Sequence, residues 1–450
     1  MQDSPSRANM KFQTIVLCFF GVITVVAVIV FAKAPAKNAN RDPGIVGASG
    51  EVVIWGTFPD NVAFSKEVNA FNSQYTNSFS IKYQFHDSVT FDRDIVEALA
   101  SGKGPDVLLL PDDLILRHTD KIQLLPYTVI DQRSFQNTFI QAAELYMRDT
   151  GVVAIPFAVD PLVMYWNRDL FSNASVTEPP KNWSEFLALV PKLTKRDPRS
   201  FAITQSMISF GEYANVQNAK EIMAMLFLQV GNPIVTVQNN LPVCTLTSRN
   251  SEQLVPDADV MSAFRYFMDF SNPLKNIYSW SRAMPNSRDA FINGSLAVYF
   301  DYASAYNEIK AKNPHLNFLI APVPQPAKTK TEVTFARMHG FAVLKTSKNR
   351  QTAFIVVQRL LDQRYAGEFT QAFNLPPVRR DLLSVPQTDT VNSVLYDAAI
   401  RGRTWLDPRP EESDKAFQSA IESVSSGRSS SEGAVSSLST ALSSLLAAYY

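Results

Sequence analysis

The chain contains 450 residues, of which 46% are hydrophobic, so it can bury a large core and is predicted to form two lobes. Its 42 basic and 42 acidic residues cancel without long runs of either sign, which argues against nucleic acid as a partner. The two cysteines and four scattered histidines form no disulfide framework or zinc motif, and we expect no metal or cofactor.

The N-terminal segment predicts a membrane anchor. Residues 1–11 form a short polar head, and residues 12–32 carry no charge. As a helix, the uncharged stretch is about 30 Å long, which matches the thickness of a bilayer core. Ala32-Lys33-Ala34 resembles a signal-peptide cleavage site, but the apolar stretch is longer than in most signal peptides, and an uncleaved single-pass anchor is favoured. The rest of the chain is expected outside the cytoplasm.

The folded part is predicted to begin near Glu51, after a flexible linker. Residues 33–50 are small and polar and contain Pro and Gly. Hydrophobic periodicity then predicts strands and helices in alternation: strand 51–55, helix 61–75, strand 79–85, helix 91–102 and strand 106–110. Strands joined by single helices must be parallel, so this part predicts a doubly wound α/β lobe.

Ligands of such sheets bind beyond the carboxyl ends of the strands. Trp55 stands at the end of the first predicted strand, and Asp112 follows the third. No GxGxxG or Walker A sequence follows a strand, which argues against a nucleotide ligand.

Asp160 lies in an otherwise apolar and aromatic run, IPFAVDPLVMYWN. Residues 152–160 predict one strand and residues 162–167 another, with a break at Pro161. A carboxylate buried without a partner is costly. We therefore expect Asp160 at a junction where it meets solvent or ligand.

The rest of the chain continues the alternation of helices and strands. Asn182 and Glu185 form a capping-box pattern that predicts a helix start. The Ser-rich C-terminal segment keeps Val435, Leu438 and Leu442 at helical spacing, which predicts a packed terminal helix.

Several motifs, in this order and spacing, resemble the family 1 extracellular solute-binding proteins of ABC importers, the maltose-binding-like class. The resemblance runs from Glu51 to the C-terminus. The matching pieces are EVVIW, SGKGPDVLLL, IPFAVDPLVMYWNRDLF, PPKNWSEF, RDAFINGSLAVYF, HGFAVLKTSKNRQTAF, NLPPVRRDLL and SVSSGRSSSEGAVSSLSTAL.

This resemblance implies an α/β, two-lobed periplasmic-binding-protein fold of type II, here preceded by one transmembrane helix. Residues 51–158 and 325–385 would form lobe 1, and residues 159–324 and 386–450 would form lobe 2. The resemblance further implies that a monomer without enzymatic activity captures a sugar or oligosaccharide between the lobes and delivers it to ABC transporter permease subunits.

Sugar sites combine carboxylates, which accept hydrogen bonds from paired hydroxyls, with aromatic rings that cover the C–H face of the sugar. The resemblance places candidate ligand-binding residues at strand ends and late in the chain. For Trp55 the alternative is core packing, for Asp112 a helix cap, and for Asp301 and Tyr302 a turn. The surroundings of Trp405 are polar, which favours the site over the core. The candidates are Trp55, Asp112, Asp160, Asp301, Tyr302, His339 and Trp405.

Two other classes of function stay open at this point. An exported glycosidase would need two carboxylates facing each other, for which Asp112 and Asp160 are the available pair. A surface interaction module would keep the fold and have a cleft filled by side chains.

Overall fold

The computed structural model describes residues 47–239, 241–250, 253–327 and 329–449. The predicted head (1–11), the predicted transmembrane helix (12–32) and nearly all of the predicted linker lie outside these residues. Within the described part, none of the helices is both long enough and apolar enough to cross a bilayer.

The strands of the described residues are numbered in chain order. They are β1 Gly50–Gly56, β2 Phe79–Phe85, β3 Val107–Pro111, β4 Leu125–Pro126, β5 Met147–Arg148, β6 Gly151–Val152, β7 Ile155–Asn167, β8 Lys195–Arg196, β9 Ile203–Gln205, β10 Val235–Gln238, β11 Leu241–Cys244, β12 Thr247–Asn250, β13 Gln253–Pro256, β14 Val298–Tyr302, β15 Phe318–Ala321, β16 Thr334–Val343 and β17 Gly402–Arg403.

The α-helices are numbered in the same way. They are α1 Val62–Gln74, α2 Phe91–Ala100, α3 Ile115–His118, α4 Gln132–Thr138, α5 Arg168–Asn173, α6 Trp183–Leu193, α7 Ala219–Gln229, α8 Ala258–Asp269, α9 Ser287–Ile292, α10 Ala305–Lys312, α11 Arg350–Leu360, α12 Gln363–Ala372, α13 Arg380–Leu383, α14 Thr390–Arg401, α15 Pro410–Ser425 and α16 Ser431–Leu446. Short 3-10 helices span Asp112–Leu114, Gln141–Tyr146 and Ala447–Tyr449.

One mixed sheet organises the molecule, with the strand order β14-β7-β16-β3-β1-β2, and with β15 and β17 added beside β7 and β16. β1 is parallel to both β2 and β3, as the sequence predicts. Asn61 caps α1 by accepting a hydrogen bond from the Phe64 N–H at 2.9 Å. The predicted β-α-β-α-β unit is therefore confirmed.

The predicted break at Pro161 is wrong. β7 is one continuous strand of 13 residues, all of them buried. Its first half pairs with β16 as far as Pro161, and its second half pairs with β14 and β15 from Leu162 onward. Pro161 lies where the pairing passes from β16 to β14, so its missing N–H interrupts neither ladder.

β7 and β16 are the two strands that link the halves of the sheet. β16 pairs with β17 at its start, with β7 from Ala336 to Phe341, and with β3 through its C-terminal half. The division into lobe 1 (51–158 and 325–385) and lobe 2 (159–324 and 386–450) stays a proposal, and the two names are used below in that sense.

The predicted helix start at Asn182 and the predicted terminal helix are confirmed. Asn182 accepts from the Glu185 N–H at 2.9 Å, and the Glu185 carboxylate accepts from the Asn182 side chain at 2.7 Å, so the capping pattern starts α6. α16 buries Val435, Leu438 and Leu442 against the lobe 2 core.

Candidate ligand-binding cleft

The site is centred on a pair of charged residues on the two linking strands. Arg337 of β16 lies directly opposite Asp160 of β7 in the antiparallel ladder, so their side chains lie on the same face of the sheet. Asp160 is 8% exposed and accepts a hydrogen bond from the Ser304 N–H at 3.0 Å. The predicted junction at Asp160 is wrong, because the residue lies inside a continuous strand, where a protein donor and an arginine accompany it.

Arg337 is surrounded by groups from lobe 2. Its guanidinium lies 4.6 Å from the centre of the Tyr302 ring and 3.4 Å from the Glu221 carboxylate, measured from Nη2 to Oε1. The Arg337 side chain is nevertheless 38% exposed. The Tyr302 hydroxyl is buried and has no hydrogen-bond partner among the described residues. These groups form a polar floor, of which the Arg337 side chain is the most exposed member.

Asp301 lies beside this floor, and its hydrogen bonds stabilise the fold. Its carboxylate accepts from the Asn218 side chain at 2.7 Å, from the Tyr299 hydroxyl at 2.6 Å and from the Tyr302 N–H at 2.8 Å. Asn218 precedes α7 with a positive φ of 57°. Asp301 therefore fixes the start of α7, which presents Glu221, and its oxygens are already occupied.

Asp112 approaches the floor from lobe 1. It follows β3, is 4% exposed and accepts a hydrogen bond from the Thr404 hydroxyl. Tyr302, and after it Asp113, Glu221 and Asp112, raise the pKa of Arg337, although burial opposes this. Asp112 and Asp113 thus act electrostatically on the same guanidinium as Glu221.

The pKa values of two carboxyl groups at the floor are raised. Burial raises the pKa of Asp160 from 3.8 to about 6, while Ser304 and Arg337 lower it. Burial, and after it the neighbouring Asp113, raise the pKa of Asp112. Burial is the main cause in both residues, so Asp112 and Asp160 are harder to ionise than carboxyl groups in water.

The raised pKa of Asp160 predicts a pH-dependent stability. A carboxyl whose folded pKa lies above its unfolded pKa stabilises the fold at low pH, and this contribution is lost as the pH rises through about 6. We expect Asp160→Asn to gain stability relative to wild type as the pH rises from about 4 to about 7, by at most about 3 kcal/mol.

Urea unfolding of both proteins across this pH range measures the difference. Because the other titrating groups are common to both, their contributions cancel. A difference in unfolding free energy that stays constant with pH would show that Asp160 is not held at a raised pKa.

His339 belongs to an aromatic wall beside the floor. Its ring lies 4.5 Å from that of Phe58, which in turn stacks on Phe373 at 4.5 Å. Burial, and after it Arg337, lower the pKa of His339 to about 3, so it is neutral at physiological pH. Its Nδ1 has no hydrogen-bond partner among the described residues. Phe58 is half-buried. It lies just beyond β1, the strand that carries Trp55.

Trp55 itself lies apart from the other candidates. Its ring packs 4.0 Å from His86, and its Nε1 donates to the Gln84 side chain at 2.5 Å. Both partners belong to β2 or follow it, on the outer side of lobe 1 in the sheet order. The structure does not bring Trp55 to Asp160.

Trp405 is in the core, and the expectation that polar surroundings leave it free is wrong. It is 4% exposed and packs against Phe417 of α15 at 6.1 Å between ring centres. The Lys220 ammonium lies over the ring at 5.9 Å and forms a buried ion pair with Asp407 at 2.7 Å. The neighbouring polar residues thus bond to one another above the ring.

Sequence reasoning missed Arg337, Glu221 and Phe58. Arg337 carried the same signal as Asp160, because it is the one charged residue in the apolar run TFARMHGFAV. Glu221 and Phe58 had weaker signals, an acid in the first turn of a helix and an aromatic residue just beyond a strand.

Two cavities lie between the proposed lobes. One of about 490 Å³ is lined by Ala303, the neighbour of Tyr302 in the chain, by side-chain amides and by Tyr306 and Tyr396, and none of the floor residues lines it. The other, of about 1000 Å³, lies between residues such as Arg148 of lobe 1 and Tyr449 of lobe 2, and none of the predicted site residues lines it. The first is within the size range of small-ligand pockets. Among the described residues no cluster of acids, histidines and cysteines could hold a metal ion.

Residues 66–393 match the model of a protein family described as bacterial extracellular solute-binding protein. The match covers well over half of the chain and agrees with the resemblance seen in the sequence. The matched family consists of solute-binding proteins rather than enzymes, as predicted.

Curated relatives are distant. A protein of Brucella abortus (strain 2308), described only as a binding protein, is 22% identical over 247 residues, which are 55% of each chain. A protein of Brucella suis biovar 1 (strain 1330) with the same description matches equally. The chain thus spans about half the length of the curated relatives that it matches.

Solved structures share the fold. The cyclic alpha-maltosyl-1,6-maltose binding protein of Arthrobacter globiformis aligns with a TM-score of 0.71 and 16% identity, over 89% of this chain and 99% of that one. The sugar-binding protein MalE of Xanthomonas citri gives 0.69 and 18%, over 89% and 98%. A tagatose-bound ABC transporter solute-binding protein of Thermotoga lettingae gives 0.65 and 16%, over 88% and 100%. The two-lobed α/β fold is shared with these proteins.

Proposed function

Because the chain belongs to the bacterial extracellular solute-binding protein family, we propose that it binds a sugar or oligosaccharide in the cleft between its lobes. The observation that carries the proposal is the position of Asp160 and Arg337, opposite each other on the two strands that link the lobes. Each lobe adds acids to this point, Asp112 from lobe 1 and Glu221 from lobe 2.

The chemistry of the floor suits a polyhydroxylated ligand. Asp160 accepts hydrogen bonds from the Ser304 N–H and the Ser304 side chain, and a carboxylate has further acceptor positions that could take a sugar hydroxyl. Such charge-assisted hydrogen bonds are about twice as strong as neutral ones. The unpartnered Tyr302 hydroxyl can donate or accept, and the exposed part of Arg337 can donate.

The aromatic wall and the adjoining cavity would extend the site. Phe58 and His339 offer apolar ring surface to the C–H face of a sugar. The cavity at Ala303, with its amides and two tyrosines, would hold further sugar units. Several structural neighbours are sugar-binding proteins by name, which supports this choice of ligand class. We assign ligand contact to Asp112, Asp160, Tyr302 and His339, and not to Trp55, Asp301 or Trp405.

We propose further that the protein acts outside the cytoplasm as a monomer. Residues 12–32 would anchor it in the membrane, residues 33–50 would act as the tether, and an ABC transporter permease would receive the ligand. Ligand that contacts both lobes favours the closed form, and the permease would recognise that form.

A thermal-shift panel tests the proposed ligand class. We expect at least one sugar or oligosaccharide to raise the melting temperature, because a ligand present at about 100 times its Kd stabilises the folded state by about 2.7 kcal/mol. Amino acids and dipeptides of similar size serve as the control solutes. A response to these controls, with none to a broad panel of sugars, would contradict the proposal.

A further inference from the structure

We propose that the larger cavity between the lobes is a second carbohydrate site, and that it takes an acidic oligosaccharide, one that contains a uronic acid. This inference rests on the carbohydrate function proposed above and adds a carboxylate to the ligand class. It follows from the residues that line this cavity, which none of the floor residues does.

The cavity is large enough for several sugar rings. Its volume of about 1000 Å³ is at the upper end of the range of small-ligand pockets. Lobe 1 contributes lining residues between 116 and 150, and lobe 2 contributes Val237, Pro242, Leu406, Ala448 and Tyr449. A ligand in this cavity therefore contacts both lobes.

Each lobe contributes a tyrosine whose ring is held in place by its hydroxyl. Tyr127 donates to the main-chain oxygen of Arg148 at 2.8 Å, and Tyr449 donates to that of Pro408 at 2.6 Å. Both tyrosines line the cavity and are half-buried. Because the hydroxyl protons are already bonded, the two residues chiefly offer ring surface, which suits the C–H faces of sugar rings.

The buried part of the lining carries more positive than negative charge. Three basic residues line the cavity, Arg117, Lys121 and Arg148, and all three are half-buried. The two acidic residues of the lining, Asp120 and Asp149, are exposed. Charges that are partly shielded from water act more strongly on a ligand than exposed charges do, so this lining favours an anion.

Arg148 has no carboxylate partner among the described residues. Its Nη1 donates to the main-chain oxygens of Leu145 and Met147 at 2.9 and 2.7 Å, and its buried Nη2 has no hydrogen-bond partner. Burial lowers the pKa of Arg148, and only Tyr127 opposes this shift. A carboxylate in the cavity would supply a counter-charge through space, without displacing the bonds that Nη1 makes.

Arg117 and Lys121 have donors for direct contact with that carboxylate. Arg117 uses Nε for Asp92 at 2.7 Å, and its side chain is 32% exposed. Lys121 pairs with Asp120 at 3.0 Å and is 33% exposed. A guanidinium has five N–H donors and an ammonium three, so both groups keep donors for a ligand. Hydrogen bonds from these cations to a carboxylate are charge-assisted.

Calorimetric titration of matched ligands tests the inference. The probes are trimers of galacturonic, glucuronic and mannuronic acid, each beside its methyl ester, which has the same backbone without the charge. At near-neutral pH we expect at least one acid to bind tighter than its ester by on the order of tenfold or more. The advantage should decrease at high salt.

Three variants locate the effect. Lys121→Met should reduce the preference for the acid over its ester, whereas Lys66→Met, which removes a lysine 80% exposed outside the cavity, should leave it unchanged. Tyr127→Leu should weaken acid and ester alike, because ring surface is lost. A folded Lys121→Met protein with the wild-type preference would overturn the placement in this cavity.

The same titrations separate this inference from the proposed function. Equal or tighter binding of every ester would overturn the inference. Binding of neutral sugars alone would also overturn it and leave the carbohydrate proposal standing, whereas failure of every carbohydrate would overturn both.

Discussion

Replacing Lys220 by methionine is expected to lower the free energy of unfolding by about 3–5 kcal/mol. Lys220 is 7% exposed and bonds to Asp407 at 2.7 Å and to the Ser413 hydroxyl at 2.9 Å. Burial raises the pKa of Asp407 even beside this ammonium, so the carboxylate depends on Lys220 to remain ionised. Methionine would leave that carboxylate buried with hydrogen bonds alone. Urea denaturation measures the loss.

Two controls separate the ion pair from the general effect of removing a lysine. Lys66→Met removes a lysine whose side chain is 80% exposed, and it should change stability by less than about 1 kcal/mol. The double variant Lys220→Met with Asp407→Asn removes both charges and should recover part of the loss. A single variant as stable as wild type would contradict the role given to this pair.

Loss of the ion pair between Lys220 and Asp407 would also disturb the proposed ligand site. Lys220 and Glu221 are neighbours at the start of α7, and the ion pair ties this turn to Asp407. Asp301 fixes the same turn through Asn218. Glu221 is thus held in place from two sides, which keeps it beside Arg337.

Most of the fold could be predicted from the sequence because local patterns determine it. Alternating strands and helices before Asp112, the capping box at Asn182 and the spacing of Val435 and Leu438 all appear in the structure as predicted. The error at Pro161 has a non-local cause. From the sequence alone, a proline indicates the end of a strand. In the structure β7 continues through Pro161 because its pairing partner changes there from β16 to β14.

The site was less predictable because burial and pairing depend on distant residues. Trp405 has polar neighbours in sequence, yet Phe417 covers it. Asp301 and Asp160 carried a similar signal in the sequence, an acid beside apolar strand residues. In the structure, however, Tyr299 and Asn218 donate hydrogen bonds to the carboxylate of Asp301. A single charge within an apolar strand was the useful signal, and it would have identified Arg337 as well.

Asp160→Asn is expected to weaken carbohydrate binding by about 10- to 100-fold, because a hydrogen bond to a charged group contributes about 1.5–3 kcal/mol. Asparagine has nearly the same shape and keeps an oxygen for the Ser304 N–H, which now bonds to Asp160 at 3.0 Å. The fold should therefore persist while the charged acceptor is lost. Asp259→Asn, which changes an exposed residue in the first turn of α8, is the control for the change in charge.

Calorimetric titration of the carbohydrate into wild type, Asp160→Asn and Asp259→Asn is the most direct test of a sugar site between the linking strands. We expect equal affinities for wild type and Asp259→Asn, and the stated loss for Asp160→Asn with an unchanged circular dichroism spectrum. A folded Asp160→Asn protein that binds the carbohydrate as tightly as wild type would contradict a site built around Asp160 and Arg337.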